Sequence, residues 1–131
     1  MYTTLNRIKF NGPCASGWQT LLKALGKTKA DDEPISMAFI LQSNGLDDAL
    51  WALQCLESAD REIRLFAVGC ARQVQHLMPD PRSLAALDVA ERFASGLATS
   101  GELDAARAAA WDAAWDAARV KQEEIFLKYF G

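Results

Sequence analysis

The amino-acid sequence predicts an all-α fold, a single-domain bundle of about six helices over residues 1–131, and three observations carry that prediction. Apolar residues recur at intervals of three and four through most of the chain, the spacing that gathers side chains on one face of an α-helix. Proline and glycine fall at Asn11-Gly12-Pro13, Gly26, Pro34, Asn44-Gly45, Pro79, Pro81, Gly96 and Gly101, dividing the chain into helix-length segments. No segment sustains a two-residue alternation rich in β-branched residues, so no strand is expected.

The first helix is expected from Thr4 to Lys9, stopped by Asn11-Gly12-Pro13. Ser16 suits the cap of the second, in which Trp18, Leu21, Leu22 and Leu25 repeat at helical spacing until Gly26. Lys27 to Glu33 is a charged loop. Pro34 fits a first helical position, where the missing N–H costs nothing, and Ile35, Met37, Ala38, Phe39, Ile40 and Leu41 follow as a short buried helix ending at Asn44-Gly45. Asp47 opens a helix carrying Leu50, Trp51, Leu53 and Leu56. Asp60 caps a longer one that Pro79 ends, with Ile63, Phe66, Ala67, Cys70, Val74 and Leu77 as its inward stripe. Arg61, Arg64, Arg72 and Gln75 then fall on its outer side, with His76 at the surface nearby. Asp80-Pro81 is an N-cap followed by a first-turn proline, and Leu84, Leu87, Val89, Ala90 and Phe93 follow before Gly96. Thr99 and Glu102 have capping-box spacing. Beyond Gly101 nothing interrupts the helical pattern before Tyr129, which predicts a long, alanine-rich C-terminal helix.

That last helix repeats Trp-Asp-Ala-Ala at 111–114 and 115–118. A four-residue repeat drifts only about 40° per step around a helix, so Trp111, Trp115, Ala118, Gln122, Phe126 and Tyr129 share a face that is expected to pack inward. A flatter face carries Ala106, Ala109, Ala113, Ala117 and Val120, small enough for close approach by a neighbouring helix. Between them runs a ridge of Asp112, Asp116, Arg119 and Glu123. Two apolar faces imply packing on both sides, by the chain itself or by a second copy, and leave a homodimer open.

Half of the residues are hydrophobic and 24% are charged, as in an ordinary globular domain rather than a disordered chain. The apolar runs are too short to span a membrane, and no basic head with an apolar stretch opens the chain. Three cysteines (Cys14, Cys55, Cys70) in an odd number without CxxC spacing suit reduced thiols and a cytoplasmic location.

Charge is strongly segregated. Residues 1–30 hold five bases and no acid, residues 31–60 seven acids and no base, and the net charge is −3. Such blocks polarise a surface for docking or neutralise one another. The acidic total argues against direct nucleic-acid binding.

The constellations of catalysis are missing. One histidine, His76, cannot build a multi-histidine metal site. Gly26-Lys27-Thr28 imitates the end of a phosphate-binding loop, but Leu21 stands where the motif needs glycine. Cys70 lies six residues from His76 on another side of the same helix, which argues against a Cys–His pair. Asp47 and Asp48 are expected to point in different directions from a helix start, so no cation site is inferred there. The expectation is a non-enzyme with no cofactor and no metal.

Asp48–Leu53, Arg61–Ala71, the helix around Trp111 and Trp115, and Leu25–Pro34 together resemble a family of small phage and prophage proteins, related to helical immunity-protein-like families. In its compact, acidic, helical character the chain also resembles anti-CRISPR inhibitors, which bind a Cas protein. These resemblances imply a phage- or mobile-element-encoded inhibitor in the cytoplasm of a bacterial host. It would bind a basic surface of a protein target, in the first place a Cas effector or nuclease and alternatively a toxin that it neutralises. The charge pattern supplies the candidate contact residues: Asp31, Asp32, Glu33, Asp47, Asp48, Asp112, Asp116 and Glu123.

Overall fold

A computed structural model describes residues 1–130, and helices dominate it. Chain contacts divide it into two compact units, Met1–Ala59 and a second from Asp60 onward. None of its helices is long and apolar enough to cross a membrane, among the described residues.

The first unit runs β1 (Tyr2–Thr3), α1 (Leu5–Phe10), α2 (Ala15–Leu25), β2 (Ile35–Ser36), α3 (Met37–Asn44) and α4 (Leu46–Ala52), closed by a 3₁₀ turn at Leu53–Cys55. Thr4 caps α1 by accepting the Arg7 N–H at 3.2 Å. The cap of α2 is Cys14 and not the expected Ser16: the thiol sulfur accepts the Gly17 N–H at 3.3 Å. Gly26 ends α2 at φ 66°, the left-handed conformation that glycine adopts without a side-chain clash.

The expected start of the next helix at Pro34 is also corrected. Ile35–Ser36 is extended and pairs antiparallel with Tyr2–Thr3, a short two-stranded sheet where no strand was expected. Pairing satisfies backbone groups that a helix starting at Pro34 would leave open, and Ser36 supplies the cap by accepting the Phe39 N–H at 3.1 Å. The sheet also ties the unit's beginning to its end, because the buried Thr3 hydroxyl donates to the Cys55 carbonyl at 2.8 Å. Leu5, Ile8, Leu21, Leu22, Ile35 and Ile40 pack beneath it, with Ala49 and Ala52 of α4 closing the core. The helix expected to continue to Leu56 stops at Ala52 and tightens into the 3₁₀ turn.

In the second unit, α5 (Asp60–Gln73), a 3₁₀ turn (Gln75–Leu77), α6 (Pro81–Ala94) and α7 (Ser100–Phe130) follow in order. Asp80 caps α6 through the Arg82 N–H at 2.8 Å, with Pro81 in the first turn. The capping box forms as expected: the Thr99 N–H donates to Glu102 Oε2 at 2.7 Å and the Glu102 N–H to Thr99 Oγ1 at 3.1 Å. It sets the start of α7 at Ser100, so Gly101 lies inside the first turn.

The packing face of α5 is opposite to the expected one. Val68 is buried and Leu65 and Ala71 are half-buried, while of the expected stripe Ile63 alone is half-buried and Phe66, Ala67, Cys70, Val74 and Leu77 are exposed. The cause lies on α6, whose side chains recruit the arginine stripe. Arg72 bonds Asp88 at 2.6 Å and Glu91 at 3.0 Å, and the Arg64 guanidinium sits 5.0 Å from the Phe93 ring centre. Long arginine stems cover apolar surface while their heads pair, so a basic stripe can serve as a packing face. α5 itself ends at Gln73, before Pro79.

On α7 the small-residue face packs, with Leu103 and Ala113 buried and Ala106, Ala109 and Ala110 half-buried, but Ala117 and Val120 are exposed. The tryptophan face does not turn inward as expected, since Trp111 and Trp115 are 73% and 61% exposed. The side chains of Gln122 and Phe126 lie outside the described residues.

Candidate functional site

A cleft of about 280 Å³ opens in the first unit between α2, α3 and α4. Helical spacing builds its walls. Cys14, Gly17, Trp18 and Leu21 stand at i, i+3, i+4 and i+7 along one side of α2, and Asp47, Asp48, Trp51 and Ala52 face it from α4. Ile40 lies at its floor and is almost fully buried. Trp18 and Trp51 are half-buried. Asp47, exposed, and Asp48, half-buried, both border this one cleft.

The Asp48 carboxylate is held in place. Asn44, at the end of α3, donates its side-chain amide to Asp48 Oδ2 at 2.8 Å and to the Gly17 carbonyl at 2.9 Å. The Ser43 hydroxyl donates to Asn44 Oδ1 at 2.8 Å, which orients that amide. Gly17 makes room, because a Cβ there would stand 2.6 Å from Asp48 Oδ2. No lysine, arginine or histidine lines the cleft. Among the described residues, neither Asp47 nor Asp48 takes part in an ion pair.

At the cleft's edge the exposed Cys14 thiol is drawn below its ordinary pKa by the Ser16 hydroxyl, 3.6 Å away, and by the Gly17 N–H. The Asp48 carboxylate opposes that effect. Cys55, the buried thiol of the unit, is pushed up by desolvation.

The other candidate acids have different surroundings. Lys27 pairs with Asp31 at 2.7 Å and with Glu33, and this contact holds the Asp31 carboxyl below the usual carboxylate range. Asp32 accepts the Asn6 side-chain amide at 3.0 Å. The acidic loop is therefore tied to its own unit. In the second unit Asp116 pairs with Arg82 at 3.0 Å, and Arg82 also holds Asp80 at 2.9 Å. Asp112 and Glu123 are exposed and enter no ion pair among the described residues. The ridge of α7 is thus divided by the Arg82 contact. His76 is exposed in the 3₁₀ turn after α5. Among the described residues no three His, Cys, Asp or Glu side chains gather closely enough to hold a metal ion.

Sequence reasoning missed Trp18, Trp51, Asn44 and Gly17 as parts of a site. Gly17 was the available signal, a helix-weakening residue in the first turn of α2 where many side chains would serve better. Comparison of the chain with family models, with curated proteins and with solved structures found no match.

Proposed function

We propose that the protein is a non-enzymatic inhibitor that docks on a basic surface of a protein target. The observation that carries this reading is the cleft of the first unit, whose walls hold two carboxylates, two tryptophans and no base. A half-buried carboxylate without a cation is electrostatically incomplete, and a partner that brings the cation completes it. Unpaired acids also speed the encounter with a basic surface, while buried aromatics supply most of the affinity. Of the eight candidate contacts, Asp32, Asp47, Asp48, Asp112 and Glu123 enter no ion pair among the described residues, Asp32 accepting only the Asn6 amide. Asp31, Glu33 and Asp116 are already paired internally.

The resemblance of 48–53 and 61–71 to phage and prophage proteins supports a mobile-element inhibitor and, as the alternative, an immunity protein. The compact, acidic, helical character that the chain shares with anti-CRISPR inhibitors supports a Cas effector or nuclease as the target. A phage-restriction assay tests it. Expression of the protein is expected to restore plaque formation on a host whose CRISPR system restricts the phage, and Asp47→Asn with Asp48→Asn is expected to weaken that rescue. Restriction left untouched by the wild-type protein would remove the Cas target. Rescue of cells from a toxin encoded nearby would then place the same docking surface in an immunity protein. Inhibition that saturates at one protein per target, rather than growing with time, separates occupancy from catalysis.

A further inference from the structure

We propose that the cleft between α2, α3 and α4 receives one arginine side chain from the protein partner; this deepens the docking reading above and rests on it for the source of the arginine. Size sets the first limit. At about 280 Å³ the cleft lies at the lower edge of ligand pockets, which span about 300–1,000 Å³, so it suits a group the size of one side chain and is too small for a nucleotide or an extended cofactor.

The lining sets the second limit. Leu21 and Ile40 give it an apolar interior, Trp18 and Trp51 add two half-buried indoles, and the only charged groups are Asp47 and Asp48. An anionic occupant is repelled. A neutral occupant leaves Asp48 unpaired as water is displaced. What remains is a group with an apolar stem and a cationic tip. Between the two natural side chains of that kind, arginine matches better. Its planar guanidinium is weakly hydrated, stacks on indole faces and offers parallel N–H groups to a carboxylate, whereas a lysine ammonium loses more hydration on entering.

The carboxylate is also pre-positioned for such a contact. Asp48 Oδ2 accepts the Asn44 amide, and Oδ1 accepts no hydrogen bond from the described residues, so it remains open to the incoming donor. Asn44 is held in turn by the Ser43 hydroxyl and by its own bond to the Gly17 carbonyl. A carboxylate fixed before binding loses little freedom on binding. Asp47, exposed at the rim, adds a second negative charge beside it.

The test titrates the full chain, labelled with nitrogen-15, with N-acetyl-arginine amide, N-acetyl-lysine amide and N-acetyl-citrulline amide. Citrulline keeps the shape of arginine and removes the charge. The indole N–H resonances of Trp18 and Trp51 are expected to move saturably with arginine, less with lysine and not with citrulline. Asp48→Asn is expected to weaken the arginine affinity about tenfold or more, the loss of a bond to a charged group. Equal binding of citrulline, tighter binding of lysine, or shifts confined to Trp111 and Trp115 would each overturn the proposal. If Asp48→Asn does not fold, the three-ligand comparison on the wild-type chain still decides. An inhibitor of phage restriction that ignores arginine would refute this cleft assignment alone. Arginine binding by a protein with no inhibitory effect would instead refute the proposed function and leave the cleft standing.

Discussion

Gly17→Ala separates the stability of the first unit from the geometry of its cleft. Gly17 is the third residue of α2, and an added Cβ would lie 2.6 Å from Asp48 Oδ2, 3.1 Å from Cys14 Sγ and 3.2 Å from Asp48 Cγ. The shortest of these falls about 0.8 Å inside the 3.4 Å at which ordinary contact begins, so something must move. The obstructing atom is the tip of a short side chain and not backbone. Rotation of Asp48 away from Asn44 relieves the clash. That movement removes one charge-assisted hydrogen bond at a half-exposed site, a loss of about 1–2 kcal/mol. Alanine in place of glycine within a helix returns about 0.5–1 kcal/mol. The expected net destabilisation is therefore small, about 0–1.5 kcal/mol, while the carboxylate leaves its position over the cleft.

Urea denaturation followed by circular dichroism measures the first quantity, and titration with N-acetyl-arginine amide the second. A fold nearly as stable as wild type, combined with a clear loss of arginine affinity, is the expected pair of results. Destabilisation beyond about 3 kcal/mol would mean that α2 itself is forced out of place, as in overpacking of a closed core. Unchanged arginine affinity would mean that the position of Asp48 does not depend on glycine, and would refute the reasoning directly.

Thr3→Val removes the hydroxyl that serves the buried Cys55 carbonyl, with an expected loss of about 1–3 kcal/mol by denaturant titration; a loss below about 0.5 kcal/mol would show that the sheet does not fasten the unit. Trp111→Ala and Trp115→Ala, at residues 73% and 61% exposed, should leave stability within about 0.5 kcal/mol of wild type, and a loss above about 2 kcal/mol would put those side chains in a core. Iodoacetamide followed by mass spectrometry should modify Cys14 well before Cys55, since one thiol is exposed and lowered in pKa and the other buried and raised; the opposite order would contradict the cap geometry. Asp31 and Asp80 both have depressed carboxyl pKa values, set first by hydrogen bonds from Lys27 and Arg82 respectively. Each binds its proton more weakly folded than unfolded, so its contribution is complete above the ordinary value of 3.8 and fades as pH falls through the lower folded values. Melting temperature should accordingly drop as pH falls from about 4 through the lower folded values, and a flat profile there would mean that both pairs are inconsequential.

Helix positions were legible in the sequence wherever a local signal decides them. Thr4, Gly26, Asp80-Pro81 and the Thr99–Glu102 box all act within a few residues of themselves, and each does what its chemistry dictates. The face of α5 was not legible. Its two sides both offer an orderly stripe, one apolar and one basic, and the choice is made by Asp88, Glu91 and Phe93 on another helix. The short sheet escaped for a similar reason, because two residues of strand carry no periodicity and exist through pairing with a distant segment. Of the cleft, the acids Asp47 and Asp48 could be seen as candidates from their charge alone. Their convergence with Trp18 could not, since it depends on how α4 lies against α2. A helical wheel gives directions around one axis and is silent about the second.

A pocket for one side chain selects a partner but does not by itself hold it. Stable recognition between proteins buries about 1,200–2,000 Å², the surface of roughly twenty or more residues a side and far more than one side chain seated in the cleft supplies. The first unit has apolar surface for the remainder. Leu46 and Leu50 lie one turn apart on α4, the helix that carries Asp47 and Asp48, and they are 59% and 40% exposed. Full burial of an exposed leucine is worth about 1.5–3 kcal/mol, and because about half of each side chain is already covered, the two together offer roughly that much beside the charged contact. The two contributions have different sensitivities, and salt tells them apart. Screening weakens the steering by Asp47 and slows association, whereas apolar contacts around α4 govern dissociation and are little affected. A partner displaced by Leu46→Ala and Leu50→Ala at constant association rate, and slowed by Asp47→Asn at constant dissociation rate, would show both halves of the surface acting as their chemistry requires.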